Sequence, residues 1–252
     1  MRLSESHFIQ KLHQFDVQEP SITPDEKEQS QLSEALNKHE NIMILGGMQH
    51  PDPYLKAVIQ DFTDRFNAVF IPDTVSNLHQ VEGAILGSHG IFDYGLTSNE
   101  EFLKPDLLIS FGGPVVSKPL KQYLRKFPPQ EHWHIDPAGY VPNTFQALSK
   151  SVKTMPYAFF SRHSKDKSTH KNKFLKLWEN LDQAVLNETF QEDPYHEFTE
   201  LASTKYLLKM LPENSILHLA NSLPVRHLTQ LGLSNAFIHY SIDLYANRGT
   251  SG

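Results

Sequence analysis

The chain is predicted to be an α/β protein, an open parallel sheet with helices on both faces in a Rossmann-like arrangement, followed by the start of a second α/β unit. Three observations carry this. Short apolar runs recur at residues 42–45, 68–71 and 107–111 without polar alternation, as strands buried on both faces require. Segments with apolar residues at helical spacing separate them. The strand–helix–strand order then repeats, which implies crossover connections and a parallel sheet.

Ile42-Met43-Ile44-Leu45 is stopped by Gly46-Gly47. Asp52-Pro53 opens a helix, because an Asp side chain accepts from free first-turn N–H groups and proline has none to lose there. Leu55, Val58, Ile59, Phe62 and Phe66 form its apolar face. Residues 68–71 are the second strand and 107–111 the third. Gly112-Gly113-Pro114 ends the third, and Ser117 can cap a helix from Lys118 to Lys126. Residues 132–135 are the fourth strand. Residues 142–160 read as irregular, and 161–172 are polar and charged without an apolar period. A domain boundary is therefore expected there, dividing the chain into 1–163 and 164–252.

Beyond it, Phe174, Leu177, Trp178, Leu181 and Val185 make one helical face, and Phe198, Leu201, Leu208 and Leu211 belong to a second helix. A strand over 215–220, a helix from 222 to about 231 and a strand over 237–240 begin one βαβ unit, which leaves a sheet edge and a face in need of partners.

With a net charge of −6 and a pI near 6.1, the chain lacks the basic excess that nucleic acid or an anionic membrane surface would favour. It has no cysteine, so disulfides and thiolate chemistry are excluded. No stretch approaches eighteen continuous apolar residues and the N-terminus has no signal-peptide pattern; a soluble, cytoplasmic protein is expected. His132 and His134 would share a strand face, but no third ligand stands at a zinc-like spacing, and no metal site is expected. Glu100-Glu101 and Glu192-Asp193 read as helix starts or solvated loops.

The residues that carry chemistry lie late in the chain. Leu219-Ala220-Asn221-Ser222-Leu223-Pro224-Val225-Arg226 takes an apolar strand into a helix capped by Asn221 or Ser222. Ser222 and Arg226 are four apart and share a face beside the helix N-terminus. Backbone N–H groups, the positive dipole end and a guanidinium fork suit a carboxylate or phosphate. Lys118 offers a second cation at a strand-to-helix turn that lacks the GxGxxG dinucleotide pattern. The chain closes on Tyr245-Ala246-Asn247-Arg248-Gly249-Thr250-Ser251-Gly252, with the look of a sequence cut short.

These last two segments, with Phe198-Thr199-Glu200 and Ile109-Ser110-Phe111-Gly112-Gly113-Pro114-Val115-Val116-Ser117-Lys118, closely resemble the MenD family. Its members are 2-succinyl-5-enolpyruvyl-6-hydroxy-3-cyclohexene-1-carboxylate synthases that use thiamine diphosphate and Mg2+. The resemblance covers the central domain and the start of the diphosphate-binding domain. It implies that Ser222 and Arg226 hold the distal carboxylate of 2-oxoglutarate, and that Arg248 faces the second substrate, isochorismate. Lys118 would reach into the site from the central domain; Pro119 stands where some members have Arg. Asn221, Ser222, Ser251 and Gly252 would approach the cofactor. The activating glutamate and the GDG metal–diphosphate motif belong to parts of the family outside this segment, so the segment by itself is expected to be inert and not to bind the cofactor. The whole enzyme is expected to be a homo-oligomer with no membrane insertion. The alternative is a non-catalytic Rossmann-like binding or assembly module.

Overall fold

A computed structural model describes residues 25–95, 100–139, 143–164, 173–190, 199–233 and 242–247. Helix α1 (Glu26–Lys38) is capped by Asp25, whose carboxylate accepts from Glu28 N at 2.7 Å. Strand β1 (Ile42–Gly46), helix α2 (Pro53–Phe66) and strand β2 (Val69–Pro72) follow, then a short helix α3 (Ser88–Asp93) and a 3-10 turn (Glu100–Leu103). Strand β3 (Leu107–Phe111), helix α4 (Lys118–Lys126), strands β4 (Glu131–Ile135) and β5 (Leu148–Val152), and helix α5 (Pro156–His163) complete the first sheet region. Three helices, α6 (Lys173–Phe190), α7 (Glu200–Met210) and α8 (Leu223–Leu231), and two strands, β6 (Ile216–Leu219) and β7 (Asp243–Ala246), form the rest.

The first sheet is parallel throughout, in the order β2-β1-β3-β4-β5. Alternate residues sort to opposite faces. Ile42, Ile44, Ile109, Phe111, Trp133 and Ile135 pack with α1, α2 and α5, whereas Met43, Leu45 and Leu108 pack with α3, α4 and α6. The expected open sheet covered on both faces is therefore present.

Two differences from the sequence reading have a common cause. Residues 142–160 were expected to be irregular, yet they contain β5 and the start of α5. Only Val152 is buried in β5, as suits an edge strand of Leu-Ser-Lys-Ser-Val that needs no apolar run. Likewise the strand expected at 237–240 lies outside the described residues, while a strand is found at Asp243–Ala246 pairing with β6. Only Leu244 is fully buried in it, so local hydrophobicity gave little signal.

Helix α6 begins beyond residue 163, but Phe174, Trp178 and Val185 join the core of the first sheet. It approaches α3 so closely that a Cβ on Gly90 would lie 2.6 Å from Val185 Cγ1, and one on Gly87 2.8 Å from the same atom. Buried Asp182 accepts the N–H of Gly87. The second sheet, β6 and β7, has its own core of Leu208, Leu219, Val225, Leu228, Leu231 and Leu244, into which Val75 and Val116 of the first sheet region also pack.

Candidate functional site

In an open α/β sheet the natural ligand crevice lies beyond the carboxyl ends of the strands, where the strand order reverses. Here that point is between β1 and β3, where backbone meets backbone. Gly47 N donates to Phe111 O and Gly113 N to Met48 O, each at 2.8 Å. A Cβ on Gly47 would lie 2.1 Å from Gly113 O, and Gly112 adopts φ +77° against the Gly47 carbonyl. These glycines serve close backbone approach between the loops that follow β1 and β3.

The chemistry-bearing side chains lie instead at the starts of α8 and α4, whose flanking residues share one core. Strand β6 runs into α8, whose N-cap is Ser222 with φ 78° and ψ −127°, a region that costs a non-glycine residue roughly 1–3 kcal/mol. The sequence reading made this a side-chain cap, but the Ser222 hydroxyl makes no cap bond. Pro224 in the first turn has no N–H, and the remaining first-turn donors have no intrahelical acceptor. An uncapped helix start with an exposed hydroxyl is suited to accept an anion. Arg226 is exposed one turn on and has no ion-pair partner among the described residues, while Val225, Leu228 and Thr229 bury the opposite side of the helix.

Beside this helix start lies a groove of about 550 Å³ between α7 and α8, lined by Glu200, Thr204, Leu207, Ser222, Leu223 and His227 among others. Ser222 thus borders both the helix end and the groove, whereas Arg226 and Lys118 do not line it. Asn221 is half-buried just before the cap.

Lys118 opens α4 and is exposed. Ser117 Oγ accepts from Leu120 N at 3.4 Å and pairs with His89 Nδ1 at 3.2 Å. Val116, two residues before Lys118, shares its core with Val225 and Leu228 of α8. The structure therefore brings the starts of α4 and α8 to one core, leaving Lys118 and Arg226 both in solvent. Arg248, Ser251 and Gly252 lie outside the described residues.

A second cluster is buried and carries no exposed chemistry. Ser110 Oγ lies 2.7 Å from His132 Nε2 and 2.8 Å from His134 Nδ1. One hydroxyl proton serves one ring, so the other ring must donate to the oxygen. Burial lowers the His132 pKa to about 4, with the neighbouring His134 adding to the effect. Burial also lowers His134, against an opposing pull from Asp136. Among the described residues no group of three or more His, Cys, Asp or Glu could hold a metal ion.

The loop after β2 was not singled out from sequence. It contributes Asp73, Thr74 and Asn77, which reach across to the turn before α4, to α8 and to β7. The available signal was faint: a polar run directly after a buried strand.

Residues 8–219 match the family described as "Middle domain of thiamine pyrophosphate". Among curated proteins, the chain is 32% identical over 241 residues to a 2-succinyl-5-enolpyruvyl-6-hydroxy-3-cyclohexene-1-carboxylate synthase of Cytophaga hutchinsonii, covering 93% of this chain and 41% of the relative. It is 32% identical over 221 residues to the synthase of Porphyromonas gingivalis, covering 84% and 37%. To that of Bacteroides fragilis it is 35% identical over 154 residues, covering 61% and 26%. The chain spans about two fifths of the length of the first two.

Proposed function

Because this chain belongs to the MenD family of thiamine-diphosphate enzymes and contains their middle domain, we propose that it is part of a synthase that decarboxylates 2-oxoglutarate and adds the product to isochorismate in a 1,4-addition. What supports this reading is the start of α8, where the exposed Ser222 side chain makes no cap bond and Arg226, one turn on, is exposed with no ion-pair partner among the described residues.

Arg226 takes the distal carboxylate of 2-oxoglutarate with its two-pronged guanidinium, and Ser222 donates a hydrogen bond to the same group. Their work is to bind and orient, so that the 2-oxo carbon meets the reactive centre in a fixed pose. Lys118 and Arg248 supply positive charge for the carboxylates of isochorismate. Thiamine diphosphate, when bound in such an enzyme, supplies the electron sink for loss of carbon dioxide and for carbon–carbon bond formation.

Among the described residues no group of three or more His, Cys, Asp or Glu could hold a metal ion by itself, and the ligands of Mg2+ and the diphosphate are assigned to other parts of the family. Those ligands belong to the remainder of the synthase, and Asn221, Ser222, Ser251 and Gly252 add only neighbouring contacts. We place the enzyme in the cytoplasm as a homo-oligomer on the family resemblance; among the described residues no helix is long and apolar enough to cross a membrane. The alternative of a non-catalytic module draws no support from relatives that are named as synthases.

Arg226→Lys in the whole synthase tests this. The charge stays but the fork is lost, and a charged hydrogen bond is worth roughly 1.5–3 kcal/mol, about ten- to a hundredfold in kcat/KM. The loss should appear with 2-oxoglutarate varied and be smaller with isochorismate varied. Equal losses for both substrates, or none, would remove the distal-carboxylate role.

A further inference from the structure

We propose that the loop after β2, residues 73–78, is a clasp that sets the spacing of the anion-binding elements, with Asn77 as its positioning residue. This deepens the proposed function and rests on it. Three side chains of the loop each hold a different element. Asp73 is buried and accepts from Val116 N at 2.6 Å, two residues before Lys118. Thr74 donates to Thr229 Oγ1 at 2.7 Å, and Thr229 donates onward to Val225 O at 2.8 Å. That relay ends on α8 one residue before Arg226.

Asn77 holds β7. Its amide oxygen accepts from Leu244 N at 2.6 Å, while its amide nitrogen donates to Leu244 O at 3.0 Å and to Gln49 O at 2.8 Å. The N–H and C=O of one strand residue point to the same side, so the Asn77 amide occupies the edge of β7 away from β6, in the place of a neighbouring strand's peptide group. Few residues can do this. Asp cannot donate and would set a charge against two carbonyls, and the backbone at Asn77 has φ +59°, which Asn and Gly tolerate best.

The clasp matters because the cations come from two separate frameworks. Lys118 sits on the first sheet's α4 and Arg226 on the second sheet's α8, so their separation depends on how the two are joined. Two anionic substrates that must meet at one reaction centre need that separation held to a fraction of an ångström. Asn77 touches no anion itself and acts through β7 and the shared core.

The variants Asn77→Gly and Asn77→Asp test the clasp. Glycine keeps the left-handed backbone at no steric cost, so Asn77→Gly removes the amide pairing without adding strain. In the 252-residue chain, hydrogen exchange of the Leu244 amide should rise about tenfold or more in Asn77→Gly and less in Asn77→Asp, whose carboxylate still accepts from that N–H, while amides of β1 and β3 stay protected. In the whole synthase, kcat/KM for 2-oxoglutarate should fall about tenfold in Asn77→Gly with the melting temperature held. Unchanged protection at Leu244 in Asn77→Gly overturns the proposal, as does an activity loss that merely follows melting. If the unaltered synthase does not use 2-oxoglutarate, the functional reading fails, and exchange at Leu244 decides whether the loop is a clasp at all.

Discussion

Asp182 gives the sharpest test of how α6 is held. It is a buried carboxyl on α6, 8% exposed, facing the Gly87 N–H at the start of α3. Burial raises its pKa from 3.8 to about 6, against the opposing pull of the Gly87 and Leu86 N–H groups. A folded-state pKa above the unfolded value means that the native protein binds the proton more tightly. This contribution to stability is therefore full below about pH 4 and is lost as pH rises through 6. Between pH 5 and pH 8 the two pKa values correspond to about 1 kcal/mol. Asp182→Asn keeps the shape and an oxygen that accepts from Gly87, but it cannot ionise. Relative to the unaltered chain, the variant should gain about 1 kcal/mol on going from pH 5 to pH 8. His79 and His132, both lowered to about 4, destabilise the native state as pH falls below 6.5, and this slope is common to both proteins and cancels in the difference. Urea unfolding at the two pH values measures it. A stability gap that does not change with pH, or one that moves against the variant as pH rises, would refute the reasoning.

Gly90→Ala should destabilise the chain by about 1–3 kcal/mol despite the better helix propensity of alanine, because its new Cβ would meet Val185 Cγ1 at 2.6 Å. Val185→Ala in the same chain should restore part of the loss, and thermal unfolding of the four-protein cycle shows whether the two positions couple. Lys118→Ala should raise KM for isochorismate in the whole synthase without shifting the melting temperature, since the side chain is exposed and fills no core space. The effect is a partly screened charge loss, and a fall of several degrees in melting with equal loss toward both substrates would make Lys118 structural.

Much of the first sheet was legible because its signals are local. Ile42, Ile44 and Leu45 are buried whichever face they take, so their run needs no partner to be read. Asp52 caps α2 by accepting from Tyr54 and Leu55 N–H groups, and Ser117 caps α4, both as their residue types imply. Strand β5 escaped because Ser149, Lys150 and Ser151 suit an edge, and β7 because Asp243 and Tyr245 alternate with Leu244 and the small Ala246. At the site, the Ser222 and Arg226 spacing was readable as one helix face. The uncapped geometry of Ser222 was not, since it depends on how β6 delivers the chain into α8.

What the sequence by itself determined is therefore the set of buried strands, the helices between them and the placing of Ser222, Arg226 and Lys118 at strand-to-helix turns. All of these follow from the order of residue types along a few turns of chain. Only the tertiary structure decided that Gly47 and Gly113 bring the loops after β1 and β3 into backbone contact, that α6 packs on the first sheet, and that Asp73, Thr74 and Asn77 tie the loop after β2 to the turn before α4, to α8 and to β7. Each of these depends on atoms distant in sequence meeting within a few tenths of an ångström, such as Asn77 with Leu244 or Gly90 with Val185. Close packing enforces such meetings, and no local run of residues encodes them.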